Sequence, residues 1–447
     1  MNNLESKRKG IFEEAERSLS REEAAKEASR CLKCQNPGCV AGCPASIDIP
    51  NFINCISCGN ESSALKIINK SSNLPFACSR LCPRERMCEG KCSEVLEKPI
   101  GIAGLERYAY ENAQPEKIHP KKKPKKVAVI GSGPAGLSCA EDLAVMGYDV
   151  TLFEALHSAG GILRCCIPNF RLPHRLVDDY LIYLASLGVK LINNAVIGRL
   201  ITLPELKKKY SAVFIATGST LPTYMNIEGE HLQNIITANE FLYRINVIEQ
   251  HLFDSKNELF SPKRVVVVGG NDSAIDAARM AVRLGSSATI IFQKSFNELE
   301  ASYDNVSRAR EEGVKFLMLS LPKRYTGASK MECVEVIQMK SEEDELGNSV
   351  SVEIADSEFM EQAELAILSL GTTASPIVVS QANINHNLRG NIFVDENLMT
   401  SAEGIFSGGA VTGASTVVES MCLGKKAAIS IDRYLSEQKK EVELKND

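Results

Sequence analysis

The thirty residues from Lys126 to Ala155 read KVAVIGSGPAGLSCAEDLAVMGYDVTLFEA, and this stretch decides the fold. Val127–Ile130 is a short apolar run rich in β-branched residues, the pattern of a buried parallel strand. Gly131, Gly133 and Gly136 follow as G-x-G-x-x-G, then a helical pattern over Leu137–Met146 and a second strand over Asp149–Phe153. Glu154 ends that strand, eighteen residues past the last glycine. Each part suits a dinucleotide. The first glycine makes the tight turn, the second lets backbone approach a pyrophosphate, and the third lets helix and strand pack closely. The helix N-terminus offers aligned N–H dipoles to the anion, and the acid accepts hydrogen bonds from a ribose.

Working outward, 447 residues are too many for one ordinary core, and two to four domains are expected. The hydrophobic and charged fractions, 44% and 24%, are those of a soluble globular protein, and a net charge of −5 gives no reason to expect nucleic acid. No apolar run is long enough to span a membrane. The start, MNNLESKRKGIFEE, lacks the apolar core of an export signal, so a cytoplasmic location is expected. Fifteen cysteines are then thiols or metal ligands rather than disulfides, and ten of them fall in the first 92 residues. A helix with a capping box at Ser20 and Glu23 runs into Cys31-x2-Cys34-x4-Cys39-x3-Cys43-Pro44; later comes Cys78-x3-Cys82-Pro83-x4-Cys88-x3-Cys92. Short, regular spacing with Cys-Pro pairs suits cuboidal iron–sulfur clusters, and two four-ligand zinc sites are the alternative. Cys55 and Cys58 read as buried thiols, and Cys139, Cys333 and Cys422 as core.

Here the chain resembles the small-subunit family of glutamate synthase, with relatives among the flavin subunits of ferredoxin-dependent transhydrogenases and among dihydropyrimidine dehydrogenases. The resemblance runs from about Glu23 to Leu435. It implies an α/β chain: an N-terminal α-helical iron–sulfur domain, then two Rossmann-like dinucleotide-binding domains, the second inserted in the first. It also implies two [4Fe–4S] clusters with interleaved ligands, the first on Cys31, Cys34, Cys39 and Cys92. The second would take Cys43, Cys82, Cys88 and the side-chain oxygen of Glu106 in Gly104-Leu-Glu-Arg-Tyr108, leaving Cys78 a non-ligand.

The expected domains are 1–118 for the clusters, a basic linker at 119–126, an FAD domain at 127–225 and 372–447, and an NAD(P) domain at 226–371. The lysine- and proline-rich stretch 114–126 reads as a solvated linker, with a docking patch for an acidic ferredoxin as the alternative. On the family's pattern FAD would be held by Gly131, Gly133, Pro134, Ala135, Gly136, Glu154, Gly161, Arg171, Val196, Thr217, Gly218, Gly409, Ala410, Gly413, Thr416 and Val417. NAD or NADP would be held by Gly269, Gly270, Asn271, Asp272, Ala274, Gln293 and Lys294. In the loop Gly160–Pro173, Cys166 stands where relatives carry glycine. Asn271 replaces a glycine, tolerating a left-handed backbone but crowding a pyrophosphate. Gln293 and Lys294 replace two arginines that grip a 2′-phosphate, which puts NADP preference in doubt. The aspartate of the closing flavin motif is missing, Ala410 following Gly409 directly. Gly413 and Thr416 should still open a helix whose N-terminal dipole faces the flavin.

Nicotinamide exchanges a hydride, iron–sulfur clusters exchange single electrons, and FAD does both. The expected function is therefore a flavin-dependent NAD(P)H oxidoreductase subunit that passes electrons through two clusters to another redox subunit or a ferredoxin. No acid/base catalyst is expected. Two alternatives stand beside it: a relay or assembly subunit of a larger redox complex with a weakened nucleotide site, and a dihydropyrimidine dehydrogenase subunit. Residues 221–246 resemble the glutamate synthase and transhydrogenase branch more than the pyrimidine branch.

Overall fold

A computed structural model describes residues 10, 12–94, 98–114, 118–248, 262–343 and 349–444. The head carries helices α1 (Arg21–Ser29), α2 (Gly38–Ala41), α3 (Ile49–Ser57), α4 (Glu61–Ser71), α5 (Pro75–Leu81) and α6 (Ile102–Asn112). Ser20 caps α1 in a reciprocal capping box with Glu23, as its spacing predicts. Phe52, Ile53, Ile56, Ile68 and Leu105 form the apolar heart of this bundle.

The first dinucleotide fold follows. Its elements are β1 (Lys126–Ile130), α7 (Pro134–Val145), β2 (Asp149–Phe153), α8 (Ile162–Cys165), α9 (His174–Ser186), β3 (Lys190–Ile192), α10 (Leu203–Lys209) and β4 (Ala212–Ile215). The chain leaves through β5 (Ser219–Pro222) into a second fold of β6 (Ile235–Thr237), α11 (Ala238–Tyr243), β7 (Arg264–Val268), α12 (Asp272–Arg283), β8 (Ser287–Phe292), α13 (Tyr303–Glu311) and β9 (Lys315–Met318). Four strands, β10 (Ser320–Thr326), β11 (Cys333–Glu343), β12 (Ser349–Glu353) and β13 (Phe359–Gln362), make an antiparallel sheet around β11. β14 (Leu365–Leu368) then enters the second parallel sheet, and the chain returns through β15 (Thr372–Ala374), β16 (Ile405–Ser407) and the long helix α14 (Val417–Leu444). The first sheet has order β16-β4-β1-β2-β3 and the second β6-β14-β7-β8-β9, all parallel. Strands buried on both faces explain the unbroken apolar runs Val127–Ile130 and Val265–Val268.

The chain divides into two compact units, one of Glu16–Leu163, Arg171–Leu221 and Thr373–Asp447, the other of Met1–Ala15, Arg164–Phe170 and Pro222–Thr372. The head and the first dinucleotide fold thus share one unit. Asn73 is a hinge of that union: its amide donates to Asp142 at 2.8 Å and accepts from Ser138 and from Lys425, each at 2.8 Å. The basic segment is less free than a solvated linker. Lys123 pairs with Asp432 at 2.5 Å, and Lys125 donates to the Leu435 carbonyl at 2.6 Å; residues 115–117 lie outside the described residues. Four cysteine readings are also corrected: Cys58 is exposed, and Cys55, Cys333 and Cys422 are only partly buried.

Beside Asn73, Glu141 is half-buried under Tyr180 and Tyr183, whose hydroxyls both donate to it. Burial raises its carboxyl from 4.5 to about 7, and the Tyr180 hydrogen bond only partly offsets this. Between those two values the folded chain keeps a proton that the unfolded chain has lost, so stability falls as pH rises through the window and is level above it. Glu141→Gln should remove this contribution, on the order of 3 kcal/mol, from the difference between acid and neutral melting curves.

In the smaller unit Arg279 is fully buried, held by Glu312 at 2.7 Å and Asn305 at 2.7 Å, with Phe170 stacked under it. Glu312→Ala would leave that guanidinium without its counter-charge and should destabilise this unit by roughly 3–5 kcal/mol, read by denaturant titration.

Candidate functional site

The cysteines gather around two cavities in the head. Cys31 and Cys34 lie just past α1, with Lys33 in a left-handed turn between them. Cys39 sits on α2, which presses on the Cys92 turn: a side chain at Gly38 would come within 2.4 Å of the Lys91 carbonyl. These four thiols, with Leu32, Ile49, Ile53 and Ile100, line a cavity of about 390 Å3 with its open mouth. The second cavity, about 490 Å3, is lined by Cys43, Cys82, Cys88 and Glu106. Its wall also includes Cys78, which the family pattern leaves a non-ligand, and Val418, which sequence reasoning did not connect with this site. Val418 belongs to the first turn of α14, immediately after the closing flavin motif.

Burial holds the acidic side chains of these cavities towards their neutral forms. Burial raises the thiols of Cys43 and Cys88, pushes Cys39 up to about 11, and raises the Glu106 carboxyl well above its ordinary value. The Glu106 Oε1 atom is buried with no protein hydrogen-bond partner. An acceptor abandoned in an apolar wall is costly unless something ligates it, and a cationic iron centre would also displace the protons. Among the described residues no three His, Cys, Asp or Glu side chains close on a point that would hold a single ion. Thiolates spaced around a cavity fit a cube of irons better than a zinc ion, whose ligands must lie about 2.3 Å from one point.

In the first dinucleotide fold, Gly131 (φ +100°) leaves no room for a side chain against the Ala216 carbonyl, and Gly136 none against Gly131 itself. Gly133 faces open space at the N-terminus of α7, ahead of Pro134 and Ala135. Glu154 is buried. It accepts from the Ser132 N–H at 3.0 Å, the Ser132 hydroxyl, and the Leu156 N–H at 2.8 Å. Ser132, an x in the fingerprint and so invisible as a motif residue, also accepts from the Gly160 N–H at 2.8 Å. Before any ribose is considered, then, Glu154 already braces the glycine turn. Gly161 packs against Gly133, Val196 is exposed beyond β3, Thr217 and Gly218 (φ +70°) follow β4, and Arg171 is partly buried. At the closing motif Gly409 (φ +86°) abuts Ala135, and the Ala410 carbonyl accepts from Ser219 at 3.0 Å. After Gly413 (φ +108°) the chain enters the last helix. The N–H groups of Ser415 and Thr416, just before Val417 opens α14, are bonded to Glu419 at 2.9 and 3.1 Å, so this helix end is capped by its own acid.

In the second fold Gly269 lies against Ser369 and Gly270 against the Phe292 ring. Asn271 is not left-handed. With φ −90° it is the N-cap of α12; its Oδ1 accepts from the Ala274 N–H at 3.0 Å and its Nδ2 donates to the Ser369 carbonyl at 3.0 Å. The short side chain is a local cap, the usual role of Asn there. Asp272 accepts from Asn305 at 2.9 Å. Gln293 is exposed, and Lys294 stands near Glu298, whose carboxyl is lowered first by its Ser295 hydrogen bonds and also by Lys294.

Residues 7–118 match the family described as dihydropyrimidine dehydrogenase domain II, 4Fe-4S cluster, and residues 125–428 match the pyridine nucleotide-disulphide oxidoreductase family. The glutamate synthase [NADPH] small chain of Azospirillum brasilense is 32% identical over 96% of this chain and 92% of its own length. The chain belongs to the glutamate synthase small-chain family. Within the same range, the dihydropyrimidine dehydrogenase subunit PreT of Salmonella typhimurium is 32% identical over 93% of this chain and 95% of its own. The NADP(+)-dependent formate dehydrogenase subunit beta of Moorella thermoacetica is 33% identical over 89% of this chain and 60% of its own. FprA from Mycobacterium tuberculosis in complex with NADPH shares the fold, with a TM-score of 0.61 at 16% identity over 72% of this chain and 87% of that one. As a family member the protein is an NAD(P)H-dependent oxidoreductase with iron–sulfur, flavin and nicotinamide cofactors, and its relatives are subunits of larger enzymes. No helix among the described residues is long and apolar enough to cross a membrane.

Proposed function

We propose that this chain is a cytoplasmic electron-transfer subunit that takes electrons from NADH and delivers them through two [4Fe–4S] clusters to another redox subunit or a ferredoxin. The first cluster is assigned to Cys31, Cys34, Cys39 and Cys92, the second to Cys43, Cys82, Cys88 and Glu106. FAD, when bound, supplies the exchange between hydride and single electrons. The residues around it do the placing: the glycine turn admits the pyrophosphate, and Glu154 with Ser132 holds that turn rigid. One observation carries the reading: Val418 of α14 lines the second cavity and follows the closing flavin motif, so one helix end borders that cavity and the proposed flavin seat. NADH is favoured over NADPH because Gln293 is uncharged and Lys294 already lies beside Glu298.

Anaerobic titration with NADH and separately NADPH, following flavin bleaching with iron and flavin assayed, tests this. NADH should bleach at the lower concentration, and Gln293→Arg should move the NADPH-to-NADH ratio by about tenfold or more toward NADPH, about 1.4 kcal/mol. A wild-type preference for NADPH would overturn the nucleotide assignment. A second reading, a relay subunit with a weakened nucleotide site, is favoured by the internal caps: Asn271 and Glu419 already occupy N–H groups at both nucleotide folds. Bleaching by neither nucleotide, with about eight irons present, would establish that reading instead.

A further inference from the structure

Two cysteines that neither cavity uses are neighbours in sequence. Cys165 closes α8, Cys166 follows it, and their sulfurs stand 3.6 Å apart. Both thiols are partly exposed, within reach of a small molecule. In an extended chain, consecutive side chains would point to opposite faces, so the contact reflects a particular backbone turn. That turn is pinned. Asn246, buried in the π-helix Arg244–Ile248, donates its amide to the carbonyl of Cys165 at 3.3 Å and to that of Ile167 at 3.1 Å, on either side of Cys166. A few residues on, the Phe170 ring packs against Arg279 and Arg283, with ring-to-guanidinium distances of 4.6 and 4.2 Å. A backbone tied down on both sides keeps the two sulfurs facing each other.

We propose that Cys165 and Cys166 are a redox-active vicinal dithiol that closes into a disulfide by exchange with small-molecule disulfides of the glutathione type. One thiolate attacks the small disulfide, forming a mixed disulfide and expelling one thiolate. The neighbouring thiol then displaces the second. The pair loses two electrons and two protons, and the small disulfide becomes two thiols. The product is labile by construction. Adjacent Cα atoms lie about 3.8 Å apart across a trans peptide, inside the usual lower limit of about 4.4 Å for a disulfide. The strain eases reduction, which marks the pair as a reversible rather than a structural bond.

The test uses the cofactor-loaded protein kept anaerobic, so that the clusters survive. It is incubated with glutathione disulfide, quenched with iodoacetamide and digested with trypsin, which releases Cys165–Arg171 as one peptide. The expected product is that peptide lighter by two hydrogens, free of glutathione and of alkylation, with both thiols regained after dithiothreitol. Cys166→Ser should instead trap a stable glutathione adduct on Cys165. A wild-type peptide that keeps a glutathione adduct, or in which both thiols are alkylated, would overturn the proposal. Phenylarsine oxide gives a second readout on the unmodified chain: it should shield both thiols of this peptide together, and alkylation of either in its presence also counts against the pair.

Discussion

Glu106→Leu should remove one cluster and leave the other, lowering iron from about eight to about four per chain while flavin content stays level. The carboxyl sits in the wall of the second cavity, and its Oε1 atom has no hydrogen-bond partner from the protein. Leucine fills similar space without a donor oxygen, so the helix α6 that carries it should survive while the fourth ligand is lost. Glu106→Gln keeps an oxygen at the same place and should keep the iron. With a neutral ligand in place of a carboxylate, its cluster should also titrate at a more positive potential, because less negative charge opposes reduction. Iron unchanged in the leucine variant would remove Glu106 from the ligand set and leave Cys78, in the same wall, as the candidate. Flavin bleaching by NADH should persist in both variants, since neither touches the glycine turn.

The sequence was most informative where chemistry imposes spacing. The fingerprint from Lys126 to Ala155 has to be strand, turn, helix, strand, and β1, α7 and β2 follow it within a few residues. The cysteine intervals alone left clusters and zinc both open, and sorting thiols into two sets rested on the family resemblance; the structure places each set around its own cavity. What stayed hidden depends on partners far away in the chain. Nothing local to Asn73 announces that it will bridge Ser138, Asp142 and Lys425, and nothing near Val418 places it beside Cys43. The capping role of Asn271 stayed hidden for a related reason. Its residue type fits a left-handed turn and an N-cap equally well, and only the Ala274 N–H and the Ser369 carbonyl decide between them. Phe170 lies in a loop that resembles a flavin contact, yet its ring is claimed by Arg279 and Arg283 over a hundred positions later.

Gly133→Ala and Gly136→Ala should separate folding from flavin binding, although both alter the same fingerprint. A methyl at Gly136 would come within 1.8 Å of the Gly131 carbonyl, backbone that cannot step aside without moving β1 or α7. That variant should lose on the order of 3 kcal/mol or more and shed its flavin as a consequence of the damage. Gly133 is different. Its φ of −72° and ψ of −178° are open to any residue, and an added methyl meets no protein atom within 4 Å. Alanine there should leave the flavin-free chain as stable as before, or more stable by roughly 0.4–1 kcal/mol through its stiffer unfolded state. The same empty space is where the second glycine of such a turn admits the pyrophosphate, so flavin affinity should fall at least about tenfold. Melting curves of the flavin-free proteins, read beside flavin retention after gel filtration, distinguish the two cases. Stability and affinity should fall together at Gly136 and part company at Gly133. If Gly133→Ala retains flavin as tightly as the parent, the open face beside α7 is not the pyrophosphate seat.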